Sequence, residues 1–252
     1  MLRGHDTHLS AYKQIGRPNF EMTSLSVTQN SHTSRQTDIA ALFDVDNTLL
    51  PGQASEVRFF RFLWKRGLVG WREFQESVRW VLRHAPPVSL QPLRERKLYL
   101  AGKLVVEVES LAEEFCRAEI FPRLSAQGLS RMDEHRRAGH HIVLVTGSLD
   151  FLMAPLAALL EVPTVLAANL EQRHDRFTGL VCPPLPYGPG KRELIVRLTQ
   201  QSRIDLAQSF AYGDSPGDVE ILQMVGHPLV VNPIRGMVSV ARRYGWPVTA
   251  WK

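Results

Sequence analysis

The chain has 252 residues, 44% of them hydrophobic, which is enough to bury a full core and excludes disorder throughout. Its net charge of +5 lies outside a balanced remainder: residues 1–37 hold four Lys/Arg against two acids, and residues 51–119 hold twelve against nine. No apolar run approaches the ~18 residues of a membrane span, and no signal-peptide stretch opens the chain, so a soluble protein is expected.

Residues 1–37 are rich in Ser, Thr, His and Gln without sustained periodicity and read as a disordered tail. A targeting peptide is the alternative, since Arg3, Arg17 and Arg35 punctuate a Ser-rich stretch, but no amphipathic helix emerges. Ile39 to Phe43 then reads as a strand buried on both faces, and Asp44-Val45-Asp46 puts two carboxylates at its tip. In open α/β sheets ligands bind at such tips, which makes Asp44 and Asp46 the first candidate site.

Pro51-Gly52 breaks the chain, and helical patterns follow at Val57 to Arg66, Trp71 to Arg83, Pro92 to Lys103 and Val108 to Glu119. The stripes Phe59, Phe60, Leu63, Trp64 and Trp71, Phe74, Val78, Val81 fall at helical spacing and read as core packing. Arg94, Arg96, Lys97 and Lys103 in this insert could meet an anionic leaving group, but a solvated helical face is the simpler reading.

From Phe121 helix and strand alternate, the pattern of a doubly wound parallel sheet. A helix at Leu129 to Ala138 ends at Gly139, and a buried strand, His141 to Val145, runs into Thr146-Gly147-Ser148. A helix at Phe151 to Leu160 precedes a strand at Thr164 to Ala167, and Leu170 to Arg173 with Phe177 to Val181 reads as a hairpin. Lys191 opens the next helix after a Pro-rich loop, a strand at Ser209 to Tyr212 ends in Gly213-Asp214-Ser215-Pro216-Gly217-Asp218, and Leu229 to Val231 reads as the last strand. Cys116 and Cys182 show no metal-ligand spacing, and the plain reading is a reducing, cytoplasmic compartment.

Three strands therefore end in polar turns that a parallel sheet gathers along one edge. Carboxylates from separate strands would repel, and a hard divalent cation held by oxygen, Mg²⁺, is the natural remedy. Hydroxyls, backbone N–H groups and a lysine beside it point to phosphoryl chemistry. Each signal alone has a plainer reading: a solvated turn at Asp44-Val45-Asp46, a helix cap at Ser148, a surface Lys191, a tight turn at Gly213-Asp214.

Taken in order, Asp44-Val45-Asp46-Asn47-Thr48, Thr146-Gly147-Ser148, Lys191 and Gly213 to Asp218 resemble the four motifs of the haloacid dehalogenase superfamily, over about Asp38 to Trp251. The helical insert, Ala168-Asn169-Leu170-Glu171 with Thr178-Gly179, and Val231-Asn232-Pro233 resemble its phosphoserine phosphatase-like subfamily IB. The resemblance implies a Rossmann-like core over 38–50 and 120–252 with an all-helical cap over 51–119, and a Mg²⁺-dependent phosphatase acting on a small phosphate monoester. It assigns Asp44 as the nucleophile that becomes an aspartyl phosphate and Asp46 as general acid and base. Mg²⁺ would be held by Asp44, the Asp46 backbone carbonyl and Asp214; phosphate by Thr146, Gly147 and Lys191. Asp218, Ser148 and Ser215 would support them, Asp218 orienting Lys191 or a metal-bound water.

Two departures bear on the substrate. Phosphoserine phosphatases carry an acid seven residues after the second Asp, where this chain has Gln53 and its nearest acid is Glu56; Gly217 replaces an Asn. A phosphotransferase using an alcohol in place of water is the nearest competing activity. A protein that binds nucleic acid or anionic lipid beside a vestigial phosphatase site is the competing class, though no nucleic-acid partner is expected and the oligomeric state is left open.

Overall fold

The computed structural model describes residues 38–84 and 94–252; the tail expected over 1–37 lies outside the described residues. β1 (Ala40–Phe43) is followed by α1 (Ser55–Lys65), α2 (Trp71–His84), a 3₁₀ turn at Leu98–Leu100 and α3 (Val105–Phe115), which continues into a π-helical turn at Cys116–Ile120. α4 (Ala126–Arg137) leads to β2 (His141–Leu149), α5 (Asp150–Leu159), β3 (Thr164–Ala168) and the strands β4 (Leu170–Arg173) and β5 (Arg176–Val181). The chain ends with α6 (Pro189–Gln201), β6 (Phe210–Gly213), α7 (Val219–Met224), β7 (His227–Val231), α8 (Met237–Tyr244) and β8 (Val248–Thr249).

Six strands form one parallel sheet in the order β3-β2-β1-β6-β7-β8. Connections leave β1 in one direction through β2 and β3 and in the other through β6 to β8, so the order reverses between β1 and β6, the crevice where doubly wound sheets bind ligands. The period-2 alternation of a strand divides the core between the two faces. Ala41, Phe43, Leu144 and Tyr212 pack under α1, α3, α4 and α5. Ala40, Leu42, Val143 and Ala211 pack under α6, α7 and α8. Both faces being covered explains why the strands read as unbroken apolar runs.

Between β1 and β2 the chain is helical, but not wherever the spacing predicts it. Of the helix expected at Pro92 to Lys103, the start lies outside the described residues, Arg94 and Glu95 are helical, and Leu98–Leu100 form only a 3₁₀ turn. Arg96 bridges Leu180 and the Lys97 N–H donates to the Gly179 carbonyl at 2.7 Å, so the free edge of β5 takes backbone groups that a helix would use internally. The fourth helix starts at Val105, three residues earlier than the pattern suggests, and gives way at Cys116 to the π-helical turn.

The α2 stripe expected in the core is exposed: Trp71 is 62% accessible, Phe74 and Val78 are each 40%. Apolar spacing gave the helix correctly; it did not say what that face meets. The α1 stripe divides, with Phe59 and Leu63 buried while Trp64 stays accessible. A sixth strand, β8, follows the one expected to be last and pairs with β7 at Val230 and Val231. Among the described residues no helix is long and apolar enough to cross a membrane.

Candidate active site

β1 ends at Phe43, and the Asp44 N–H still donates to the Tyr212 carbonyl of β6 at 2.9 Å, so Asp44 sits between the two strands where their order reverses. Three acids gather there: Asp44, Asp214 and Asp218 each offer a carboxylate oxygen within 4.8 Å of the others, and all three are buried. Gly213 makes this compact, because a Cβ on it would lie 2.5 Å from the Asp218 Cβ. Any larger residue would push the helical turn after β6 away from the strand tip.

Lys191, on the first turn of α6 and only 3% exposed, answers the negative charge. Its Nζ donates to Asp44 Oδ1 at 2.6 Å, Asp218 Oδ1 at 2.5 Å and the Val145 carbonyl at 2.9 Å. Burial alone would lower this ammonium, but Asp218 and Asp44 outweigh it, and its pKa rises. Burial pushes the Asp44 carboxyl well above the usual carboxylate range against the pull of Lys191. Burial likewise raises Asp214, to about 6, with the Asn47 amide opposing and the Asp218 charge adding to it.

Three ionised acids against one lysine leave an excess of buried negative charge. The oxygens are already sorted by it. Asp218 is fully engaged: Oδ1 by Lys191, Oδ2 by the N–H groups of Asp214 and Ser215 and by the Ser215 hydroxyl at 2.8 Å. Asp44 turns one oxygen to Lys191, and Asp214 one to Asn47 at 2.9 Å, and both line a cavity of about 320 Å³. Hard oxygen donors with surplus negative charge fit Mg²⁺, which Asp44 and Asp214 would hold while Asp218, already engaged, would support them.

Asp46 is directed differently. Its Oδ1 accepts the Ser55 N–H at 2.7 Å, and its Oδ2 accepts the hydroxyls of Ser148 at 2.9 Å and Ser55 at 3.1 Å. Asp46 thus takes a free donor at the N-terminus of α1, where a negative charge is favoured. Ser148, which reads as a helix cap in the sequence, instead binds Asp46; Leu149 occupies the capping position of α5.

Thr146-Gly147-Ser148 does not leave the sheet as a turn. β2 continues through Leu149 with its pairing to β3 shifted between Val145 and Leu149, an irregularity that turns Gly147 outward to the cavity. Thr146, Gly147, Lys191, Asp46 and Ser215 line that cavity with Asp44 and Asp214, so the structure brings the four sequence motifs to one place.

Three features went unseen in the sequence. Ser55 is fully buried and its hydroxyl lies 2.6 Å from that of Ser148. Asn47, in the left-handed region at φ 59°, donates to Asp214 and to the Asn232 carbonyl, while Asn232 donates back to the Asn47 carbonyl, each at 2.9 Å. The only signal for that clamp is residue type, since Asn enters this conformation more readily than most. Third, the insert's cations are not simply solvated. Lys97 is buried against Glu56 at 2.7 Å, Lys103 pairs with Glu73 at 2.9 Å, and the Arg94 guanidinium lies 3.5 Å from the Tyr187 ring centre on the cavity wall. Arg96 alone fits the expected reading in being exposed, though it lies over Trp80.

The family model of haloacid dehalogenase-like hydrolases matches residues 41–223. A histidinol-phosphatase of Neisseria meningitidis serogroup C is 29% identical over 84% of this chain and 98% of its own length. A crystal structure of a protein of unknown function from Bordetella pertussis Tohama I matches with a TM-score of 0.73 and 29% identity over 85% of this chain and 99% of that one. A phosphoserine phosphatase solved as an analogue of its phospho-aspartyl intermediate shares the fold, with a TM-score of 0.58 at 18% identity over 86% of this chain and 95% of that one. Strand order, the four gathered motifs and a match spanning most of the chain lead to one conclusion: this protein belongs to the haloacid dehalogenase-like hydrolase family.

Proposed function

We propose that the chain is a Mg²⁺-dependent phosphatase that hydrolyses a phosphate monoester through a phosphorylated Asp44. The observation that carries this reading is the division of the buried charges: Lys191 holds one Asp44 oxygen and leaves the other toward a cavity that Asp46, Thr146 and Gly147 also line. A carboxylate fixed in this way is a nucleophile with its direction already set.

The chemistry follows in two displacements. An Asp44 oxygen attacks phosphorus, the bond to the leaving oxygen breaks, and Asp46 gives that oxygen its proton. Water then attacks the phosphorylated Asp44, Asp46 takes the proton from it, and inorganic phosphate leaves with Asp44 restored. Bound to Asp44, Asp214 and the Asp46 carbonyl, Mg²⁺ would supply charge neutralisation to the phosphoryl oxygens. Lys191 adds fixed positive charge beside the nucleophile, and the Thr146 hydroxyl and Gly147 N–H would hold phosphoryl oxygens. Ser55 and Ser148 fix Asp46 on the leaving-group side.

Asp46 Oδ2, Ser55 Oγ and Ser148 Oγ lie in mutual hydrogen-bond contact, which holds the Asp46 carboxyl in place for its role in both displacements. We further read residues 51–119 as a cap over a core of 38–50 and 120–252, and two free cysteines as fitting a cytoplasmic setting. The relative named histidinol-phosphatase supports the reaction class.

Asp44→Asn tests the assignment. Mg²⁺-dependent phosphate release should fall below about a thousandth of wild type, and retention above that level means that Asp44 is not the nucleophile.

A further inference from the structure

A second cavity, of about 650 Å³, opens beside the first and shares Asp46, Ala54, Arg94, Gly147 and Tyr187 with it. Asp46, which protonates the leaving oxygen in the reading above, stands at the junction. Whatever is esterified to a phosphoryl group held at Asp44 and Lys191 must therefore project past Asp46 into this second space.

Its chemistry is unlike that of the first. Val57, Phe60, Phe74, Trp80, Leu98 and Leu185 put apolar side chains on its wall. The size falls within the range of pockets that enclose whole organic ligands of drug size, far beyond what a serine side chain would fill. Among the described residues the carboxylates on the wall are Asp46 and Glu56, and Glu56 is taken: Lys97 Nζ lies 2.7 Å and the Tyr99 hydroxyl 3.2 Å from it. An ammonium group entering here would lose its water without gaining an unpaired carboxylate, while Arg94 and Arg96 would repel it.

The partition between the cavities has its own requirement. A Cβ at Gly217 would lie 2.5 Å from Tyr187 Cε2, so the bare glycine lets the Tyr187 ring settle against the chain, with Arg94 stacked on the ring. Gly217, Tyr187 and Arg94 together form an aromatic wall that reaches from the phosphate cavity into the apolar one.

We propose that the second cavity receives the leaving group and selects phosphate monoesters of uncharged alcohols that carry a bulky apolar body, ring or chain. The proposal rests on the phosphatase reading and makes Phe74 and Tyr187 specificity-determining residues, with Gly217 positioning the second.

The test compares kcat/KM on the full-length, Mg²⁺-loaded protein for decyl phosphate (chain), 2-naphthylethyl phosphate (ring), glycerol 3-phosphate and phosphoserine, with acetyl phosphate as the probe of phosphoryl chemistry alone. The first four are esters of primary alcohols, which keeps differences in leaving-group acidity small. The chain ester, the ring ester or both should exceed glycerol 3-phosphate and phosphoserine by at least about 100-fold, and which of the two leads identifies the apolar body. Phosphoserine or glycerol 3-phosphate matching both apolar esters, with acetyl phosphate still hydrolysed, overturns the proposal and leaves the phosphatase reading standing. No hydrolysis of any compound, acetyl phosphate included, overturns both. Two variants probe opposite walls. Phe74→Glu, at a position already 40% exposed, should lower the ratio of kcat/KM for the favoured apolar ester to that for acetyl phosphate at least about tenfold, mainly through KM. Gly217→Ala, which displaces Tyr187, should lower the same ratio. An unchanged ratio in both variants overturns the proposal.

Discussion

Replacing Lys191 with Met removes the one cation that touches the acidic cluster among the described residues, and the structure sets the size of the effect. Lys191 carries two charge-assisted hydrogen bonds, at 2.6 and 2.5 Å, to Asp44 and Asp218 in a site almost closed to water. Without it, three buried carboxylates face one another, and removing one partner of such a pair costs about 3–5 kcal/mol. Proton uptake caps that cost. An acid of ordinary pKa near 3.9 can be protonated at about pH 7.5 for roughly 5 kcal/mol, and at about pH 5.5 for roughly 2 kcal/mol. Asp44 is the natural recipient, since burial already raises it while Lys191 opposes the rise. Native Lys191→Met then binds about one proton more than its unfolded chain, so its stability deficit should shrink by about 1.4 kcal/mol per unit as pH falls. Urea unfolding of wild type and variant in EDTA across that range measures it. A deficit below about 1 kcal/mol, or one of constant size across the range, would refute the account of Lys191 as the cluster's counter-charge. Mg²⁺-dependent turnover should fall about 10²–10³-fold in parallel.

Three further outcomes are expected. Burial, with the His140 and Arg131 charges, holds His135 down to about 4, so its unfolded form binds a proton from about 6.5 downward while the native form does not. Native stability should therefore decline as pH falls from about 6.5 toward 4, by at most roughly 3 kcal/mol, and His135→Gln should flatten that slope in thermal melts. The Lys103 hydrogen bond, with the Gly70 N–H, holds Glu73 down to about 2; Glu73→Gln should cost about 1 kcal/mol near neutrality once solvent screening is allowed for. That contribution is present above about pH 4.5 and lost as pH falls toward 2, which urea midpoints can follow. Ser55→Ala should slow turnover about tenfold at constant KM by loosening Asp46, and a change in KM alone would mean that Ser55 acts on binding instead.

The parts legible in the sequence are those dictated by local physics. A strand covered on both faces must be apolar through its length, so Ala40 to Phe43 and the buried run of β2 announce themselves, and polar residues at their tips mark the site edge. What could not be read is whatever depends on which surfaces meet. The pairing of Arg96 with Leu180 ends an expected helix in an edge contact, a competition between residues 84 positions apart that no window of sequence contains. The α2 stripe has helical spacing whether it faces core, cavity or solvent, and Phe74 in fact lines the apolar cavity. Lys97 reads as solvated because only the fold brings Glu56 to it.

The single residue between Asp44 and Asp46, the pair proposed to carry the reaction, has a structural reason. Val45 is buried between Asp44 and Asp46, and the two acids line one cavity while binding different partners. The chain then turns at once: Asn47 is left-handed, and Asp46 bridges back to Leu50. Asp44 is consequently held by core groups, Lys191 from α6 and the Tyr212 carbonyl from β6, whereas Asp46 is held by Ser55 at the first residue of α1 and by Ser148 from β2. Asp44 is fixed to the sheet and to α6; Asp46 is fixed to the sheet and to the helix that opens the insert. A displacement of α1 would leave the Asp44–Lys191 pair intact and withdraw two of the three donors to Asp46, the Ser55 N–H and hydroxyl. In the proposed mechanism such a displacement would affect phosphoryl binding weakly and proton transfer strongly, and α1 carries side chains that wall the apolar cavity.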